Sequence, residues 1–368
     1  MPETSWYPLN SGGDTGPVLV VAPHPDDEVL GCGGLIARWR ARGVAVTVVL
    51  VTLGDGFREN AVRYYLRVPV QPHEFLHLGY ERQAECLAAL QALGVEEERV
   101  IALGFPDGGL IHLLTDRWQN RPWRSPTTGA SAVPYWTAQA WEVPYTGSAL
   151  VEQLASVMAA VRPRTMVVPH PWDQHPDHWA TQVFSQVAWL KAGLPEANWL
   201  GYLIHWPRWP RLSRAFPWPP KGPPSRLRER RWWRHRLEPE LKEAKWRALS
   251  CYQSQRELIL PFMRAMCGWE EWFGLDFRWD LVGPSQDTWG VGLQLREAAE
   301  GRRCRVEGAD RPVLLNLWEG PDCRYRRIAL EPDRSVFLSS EWAVAAAEVG
   351  ARRRTPALRL AGGADPRA

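Results

Sequence analysis

Two short polar clusters hold most of the residue types that could do chemistry. The first is Ala22-Pro-His-Pro-Asp-Asp-Glu28 and the second His170-Pro-Trp-Asp-Gln-His-Pro-Asp-His178. In the first, His24 and Asp27 stand three residues apart on a turn stiffened by Pro23 and Pro25. An imidazole and a carboxylate so held could ligate one divalent cation while Asp26 stays close but unbound. A lone His-x-x-Asp is commonplace, and helix capping explains most examples. The second cluster, three His and two Asp in nine residues, changes its weight. Pro176 suits the first turn of a helix, which projects His175 and His178 from one face. His24, Asp27 and His178 then form a two-His, one-carboxylate set with an open fourth position, the layout of catalytic zinc. Zinc held this way lowers the pKa of a bound water to about 7 and polarises a carbonyl on the same ion. Asp26 is the natural general base. His175, protonated or nearly so, can stabilise the oxyanion and hand a proton to a leaving amine, with Asp177 or Asp173 orienting its ring. The reaction such groups suit is amide hydrolysis.

Both clusters need rigid elements to bring them together. Val18 to Ala22 is a wholly apolar, β-branched run of the kind buried on both faces of a sheet. Val29 to Arg42 has helical spacing with Gly43 as its stop, and Val44 to Thr52 is a second buried strand, completing a βαβ unit. Further helices are expected at Tyr80 to Leu93, Ser148 to Val161 and about Pro176 to Leu190. Strands are expected at Val100 to Leu103, Thr165 to Val168 and about Trp199 to His205. This alternation predicts an α/β fold, a Rossmann-like doubly wound and mostly parallel sheet with helices on both faces. In an open parallel sheet ligands bind beyond the carboxyl ends of the strands, where both clusters fall. Residues 106–145 and 206–236 break the pattern as insertions. Beyond about Gly274 the character changes, with Val313 to Trp318 and Arg324 to Leu330 reading as a hairpin. The expected organisation is a tail at 1–16, a main domain at 17–280, a small β-rich C-terminal extension at 281–348, and a flexible tail at 349–368.

At this point the residues carry a resemblance. The His-Pro-Asp-Asp-Glu run continuing Val29-Leu-Gly-Cys-Gly-Gly34, with Asp173-x-His-Pro-Asp-His178, resembles the PIG-L/LmbE family of zinc-dependent N-acetylglucosaminyl de-N-acetylases. Arg82-x-x-Glu85, Gly104-Phe-Pro-Asp-Gly-Gly-Leu110, Lys245-x-x-Ala-Leu-x-x-Tyr-x-Ser-Gln255 and Glu270-Glu-Trp-Phe273 are similar to weaker marks of that family, over roughly residues 17 to 275. The resemblance implies His24, Asp27 and His178 as ligands of zinc or another divalent metal, Asp26 as base, and His175 as electrostatic catalyst with Asp177 behind it. It further implies Arg82, Asp107 and Asp173 near the substrate, Asp107 on sugar hydroxyls. The alternatives are a turn at Asp107-Gly108 and a plain surface ion pair for Arg82. The activity implied is removal of acetyl from an N-acetylglucosamine-type conjugate, a small molecule or a lipid-linked sugar. An amidase for another acylated conjugate is the alternative. The mycothiol branch places a Tyr two residues before the first His of the second motif, and Asp173 in that place disfavours this branch.

Composition sets the other limits. Across 368 residues the net charge is only +3, and no apolar run approaches the roughly 18 residues of a membrane span. Six Cys show no CxxC spacing and read as reduced thiols, and the N-terminus has no apolar signal core, so a cytoplasmic enzyme is expected, with a homo-oligomer open. Charge is uneven: residues 206–236 hold nine Arg and Lys221 against one acid, Glu229. Trp209, Trp218, Trp232 and Trp233 interleave with them, which raises a nucleic-acid or glycan-binding role as a rival reading. A middle reading makes this stretch, with Arg231 and Trp232, a wall near the site for a sugar bearing phosphate or a lipid carrier. A dinucleotide-binding reading of Gly31-x-Gly33-Gly34 fails, because the glycines come a turn into the helix and carboxylates fill the loop. Close helix-to-sheet packing explains them instead. His205 and His235 have no ligand-like partner in the sequence, while His170 could line the site.

Overall fold

A computed structural model describes residues 16–275, apart from 196, 211–218, 229 and 230, and beyond 275 the backbone of strands only. The expected tail at 1–16 and Trp218 therefore lie almost wholly outside the described residues. The central sheet has seven strands: β1 (Val18–Ala22), β2 (Val46–Thr52), β3 (Val100–Phe105), β4 (Thr165–Pro169), β5 (Asn198–Tyr202), β6 (Trp232–Arg236) and β7 (Glu270–Gly274). Their order is β3-β2-β1-β4-β5-β7-β6. The first five run parallel, and β7 pairs antiparallel with both β5 and β6. Every residue of β1, β2 and β4 is buried, which is why these runs carry no polar alternation.

Helices α1 (Asp27–Ala41), α2 (Arg58–Tyr65), α3 (Pro72–Ala92), α4 (Leu110–Thr115), α5 (Gly147–Val161), α6 (Pro176–Ala192), α7 (Pro239–Leu249) and α8 (Gln253–Met266) cover the sheet. One layer joins α1, α3, α7 and α8, and the other α4, α5 and α6. The structure thus has the doubly wound architecture expected. Three differences stand out. Residues 206–236 end in β6, so part of the supposed insertion is an edge strand of the main sheet. Its exposed Arg234 and Arg236 disguise it, since edge strands carry outward charge. The late motif from Lys245 to Gln255 spans two helices, which meet at residues 250–252. Residues 106–145 contain the short α4 and a loop that returns Tyr135 to the loop after β2.

Helix α1 is broken at Cys32, where φ is −145°. The break leaves backbone groups that helix geometry would otherwise satisfy. Glu271 of β7 closes it, its two carboxylate oxygens accepting from the Gly34 and Leu35 N–H groups at 2.8 Å each. Lys245 of α7, fully buried, donates to the Leu30 carbonyl at 2.9 Å and to Glu271 at 2.8 Å. His235, expected to stand alone, completes this network through Nδ1 at 3.2 Å from Glu271. The glycines are there for close approach: a Cβ at Gly31 would meet the Tyr202 ring at 2.5 Å, and one at Gly34 would meet Leu237 at 2.2 Å.

Beyond 275, strands at 285–286, 292–298, 301–307 and 335–339 form one antiparallel sheet. Strands at 313–319, 324–330 and 342–349 form another, joined by pairs at 353–354 and 358–359 within the stretch expected as a tail. The hairpin read from sequence is the 313–319/324–330 pair. Among described side chains, Cys32, Cys86, Cys251 and Cys267 are free thiols. No described helix is long and apolar enough to cross a membrane.

Candidate active site

The sheet order reverses between β1 and β4, the switch point at which open parallel sheets form a crevice. The two polar clusters follow those two strands. His24 Nδ1 lies 3.0 Å from Asp27 Oδ2, and His178 Nε2 lies 3.0 Å from the same oxygen. Ligands about 2.0–2.2 Å from one tetrahedral ion stand roughly 3.4 Å apart, so these contacts are of the size a shared ion imposes. The donor atoms of His24, His175 and His178 all lie within 4.8 Å of one another, as do those of Asp27, His178 and His205. The residues present could therefore hold a divalent metal.

Each imidazole facing Asp27 has a carboxylate on its far nitrogen. His178 Nδ1 is 3.3 Å from Asp173 Oδ2. His24 Nε2 is 3.2 Å from Asp107 Oδ1 and 3.4 Å from Asp177 Oδ2. Outer carboxylates of this kind fix the tautomer and aim of a metal-binding imidazole. Asp173 also accepts from the Ile204 and His205 N–H groups at 2.9 and 3.0 Å, and from the His175 N–H at 3.0 Å, locking the second loop to the end of β5. Asp177 accepts from the Gly108 and Leu110 N–H groups at 2.7 and 3.2 Å. Three expectations change here. Neither Asp177 nor Asp173 turns its carboxylate to the His175 ring, because both are committed to backbone N–H groups and to the other imidazoles. Asp107 reaches His24 and the Gly56 N–H, at 2.8 Å, rather than standing free for a sugar. Arg82 is no surface ion pair: it is 3% exposed, and its guanidinium donates to the Gly54 and Pro25 carbonyls at 2.7 and 2.8 Å.

Asp26 stands on a strained turn, with φ 114° and ψ −28°, a left-handed conformation that costs an ordinary residue free energy. Its N–H donates to Glu28 Oε2 at 3.1 Å, and Arg82 Nη2 approaches its carboxylate at 3.6 Å. Glu28 in turn accepts from the hydroxyl of Tyr252 and, at 3.4 Å, from Cys86 Sγ. Burial, with Asp27 beside it, raises the Asp26 carboxyl well above its ordinary range, and burial pushes Glu28 up to about 7. Burial alone would raise Asp27 too, yet His178 and His24 hold it well below that range.

His175 sits at the N-cap of α6, where Nδ1 accepts from the Asp177 N–H at 3.3 Å. The ring proton is thereby placed on Nε2. Burial, with His24, His178 and His205 around it, lowers its pKa to about 3. His205, which had no visible partner in the sequence, stands 4.6 Å from His178 and 5.0 Å from His175 between ring centroids. A signal existed: it lies just past the end of a parallel strand, where His24 and His170 also lie. His170 does not line the site but stacks on Trp232 at 4.8 Å. Trp232 is 4% exposed and donates to the Leu227 carbonyl, so it packs and offers no rim.

Together these side chains border a cavity of about 620 Å³, with His24, Asp26, Asp27, Arg82, Asp107 and His175 at its floor and Phe57, Leu258, Ile259 and Phe262 on its walls. Asp55, from the loop after β2, lies behind Asp107 and accepts from the Tyr135 hydroxyl at 2.6 Å. The 106–145 segment thus braces this floor.

Residues 19–189 match the family model described as PIG-L: GlcNAc-PI de-N-acetylase. The 1D-myo-inositol 2-acetamido-2-deoxy-alpha-D-glucopyranoside deacetylase of Mycolicibacterium smegmatis is 34% identical over 192 residues, which are 51% of this chain and 58% of that protein. Its counterpart in Nocardia farcinica is 35% identical over 166 residues, 45% and 48% of the two chains. The chain spans roughly half to three-fifths of the length of these curated relatives. Among solved structures, the N,N'-diacetylchitobiose deacetylase from Pyrococcus horikoshii aligns with a TM-score of 0.45 and 20% identity, covering 72% of this chain and 85% of its own. The A40926 pseudoaglycone deacetylase Dbv21 aligns at 0.43 and 19%, covering 70% and 96%.

Proposed function

We propose, from the premise that residues 19–189 form a domain of the PIG-L family, that this protein is a zinc-dependent amide hydrolase which removes acetyl from an N-acetylglucosamine-type conjugate. The observation that carries the reading is the shared Asp27 oxygen, faced by two imidazoles that are each backed by an outer carboxylate. His24, Asp27 and His178 would hold the ion, the two imidazoles standing on either side of the Asp27 carboxylate. When bound, such an ion supplies Lewis acidity for a carbonyl and makes a water more acidic.

The remaining work falls to the chain. Asp26 accepts a proton from the attacking water, a task its raised proton affinity suits. Its strained backbone, pinned through Glu28 and Arg82, fixes where that carboxylate stands. His175 donates its Nε2–H to the carbonyl oxygen as negative charge gathers there. The nitrogen takes a proton as the C–N bond breaks, from His175 or from Asp26, which has taken one from the water. The products are acetate and a free amine. Asp173 speaks less strongly against the mycothiol branch than its sequence position suggests. It is committed to His178 and β5 rather than to substrate, and the relatives above are named for an inositol-linked amino sugar.

A screen of N-acetylated amino sugars, free, inositol-linked and lipid-linked, tests the reading by acetate release with and without added zinc. We expect metal-dependent acetate from at least one class. Release of a different acid from another acylated amine would favour the broader amidase, and turnover indifferent to chelators would remove the metal.

A further inference from the structure

His205 faces the same site, and the function proposed above gives it no work. We propose that His205 is a further protein ligand of the bound ion, a labile one that closes the open coordination position until substrate displaces it. The inference rests on the function proposed above.

The residue stands just past β5, and both of its backbone groups are tied to the loop after β4. Its N–H donates to Asp173 Oδ2 at 3.0 Å, and its carbonyl accepts from the Gln174 N–H at 2.8 Å. The same Asp173 oxygen lies 3.3 Å from His178 Nδ1, so a single carboxylate sets the His205 backbone and the His178 ring relative to each other. The two rings meet edge to face, with centroids 4.6 Å apart and planes at 77°. On the other side the Phe262 ring lies parallel to His205 at 6.3 Å. Ligand atoms of Asp27, His178 and His205 come within 4.8 Å of one another, and Asp27 and His178 are two of the three residues proposed to hold the ion. A side chain with two free torsions covers the remaining distance to the roughly 3.4 Å that separates ligands on one tetrahedral ion.

Outer partners tell the imidazoles apart. His24 and His178 each carry a carboxylate on the nitrogen that faces away from Asp27, which raises the basicity of the ligand and fixes its ring. Among the described residues, none is hydrogen-bonded to the His205 ring. An imidazole without that support binds a metal more weakly and turns more freely. His205 also borders two neighbouring cavities, of about 620 and 650 Å³, so it has room to move aside. His175 differs, since its Nδ1 accepts from the Asp177 N–H and commits that ring to the N-cap of α6. A resident but weak ligand keeps small anions off the ion in the resting protein, and it yields to a substrate that brings its own binding energy.

The test uses the full-length protein loaded with cobalt(II), whose visible spectrum reports the number and type of ligands. His205→Ala removes the ring, and His205→Phe keeps a ring of similar shape without nitrogen. Both should lower cobalt and zinc affinity by at least roughly tenfold, since an outer partner alone is worth about 10- to 100-fold. Both should also shift the visible bands, and free imidazole should restore the parent spectrum in His205→Ala. Azide should bind the cobalt form of His205→Ala roughly tenfold more tightly than the parent, if His205 holds the position about nine-tenths of the time. A His205→Phe protein that matches the parent in affinity and spectrum would show a packing role and overturn the proposal. If neither variant folds, X-ray absorption at the zinc edge of the parent decides: three imidazoles on the ion support the proposal, and two overturn it. A parent that binds neither metal removes the zinc from the function proposed above and this inference with it, whereas a parent that binds metal no better than its His205 variants overturns this inference alone.

Discussion

The loops after β1 and β4 bring similar residues to one point by opposite means. After β1 the backbone is forced: Asp26 takes φ 114°, and Glu28, Arg82 and, through Glu28, Tyr252 hold it there from other elements. After β4 the backbone is relaxed: His175 is extended at φ −73°, ψ 130°, caps α6, and is followed by a proline in the helix's first turn. Asp26 is thus positioned by remote side chains, whereas the second imidazole pair follows from local helix-start rules. A loop of the first kind should fail through its distant supports, and one of the second kind through its own residues.

The neighbours Asp26 and Asp27 offer the sharpest break. Asp26→Asn should retain metal and lose about 10²- to 10⁴-fold in kcat, while Asp27→Ala should lose most of the metal as well. Metal analysis beside steady-state kinetics separates the two, and full metal in Asp27→Ala would take it out of the ligand set. Next in size is a remote support of α1. Burial would raise the Glu271 carboxyl, but Lys245 and His235 outweigh it and lower the pKa to about 2. A depressed pKa stabilises the fold above the unfolded value of about 4.5, and that stability is lost as pH falls toward 2. Glu271→Gln should therefore be less stable than the parent at pH 7 by about 3 kcal/mol, with the gap closing below pH 4 in urea titrations. A gap independent of pH would mean the carboxylate charge is not what closes the break. The smallest effect belongs to the relaxed loop: Asp173→Asn should weaken metal binding about 10- to 100-fold without altering Asp26. Competition with a chelator measures it, and an unchanged affinity would leave Asp173 a purely structural link to β5.

The parallel core was legible because fully buried strands read as unbroken apolar runs, and both clusters abut such runs. What stayed hidden was direction and distance. Asp177 lies two residues from His175 in sequence, yet its carboxylate points to the loop after β3 and to His24, a choice made by Gly108 and Leu110 N–H groups that no spacing reveals. Strand β6 was obscured because Arg and Trp at an edge resemble a solvated loop. His205 could have been found by treating every strand end alike. The link of Tyr252 to Glu28 could not, although the residue stands in the late motif, since it crosses 224 residues of chain.

The closure of α1 by Glu271 has a consequence for how the protein is made. The two partners are 237 residues apart, so at ordinary rates of synthesis the first helix waits roughly ten to fifty seconds for the strand that completes it. Until α7 arrives the Leu30 carbonyl, and until β7 arrives the Gly34 and Leu35 N–H groups, have only water to bond. A nascent chain stopped at residue 189 would have both histidine clusters but none of Lys245, Tyr252 or Glu271, the groups that close the broken helix and steady the turn bearing Asp26. On the ribosome, then, the site would be among the last parts of the sheet domain to mature, although its first residues are among the earliest to emerge.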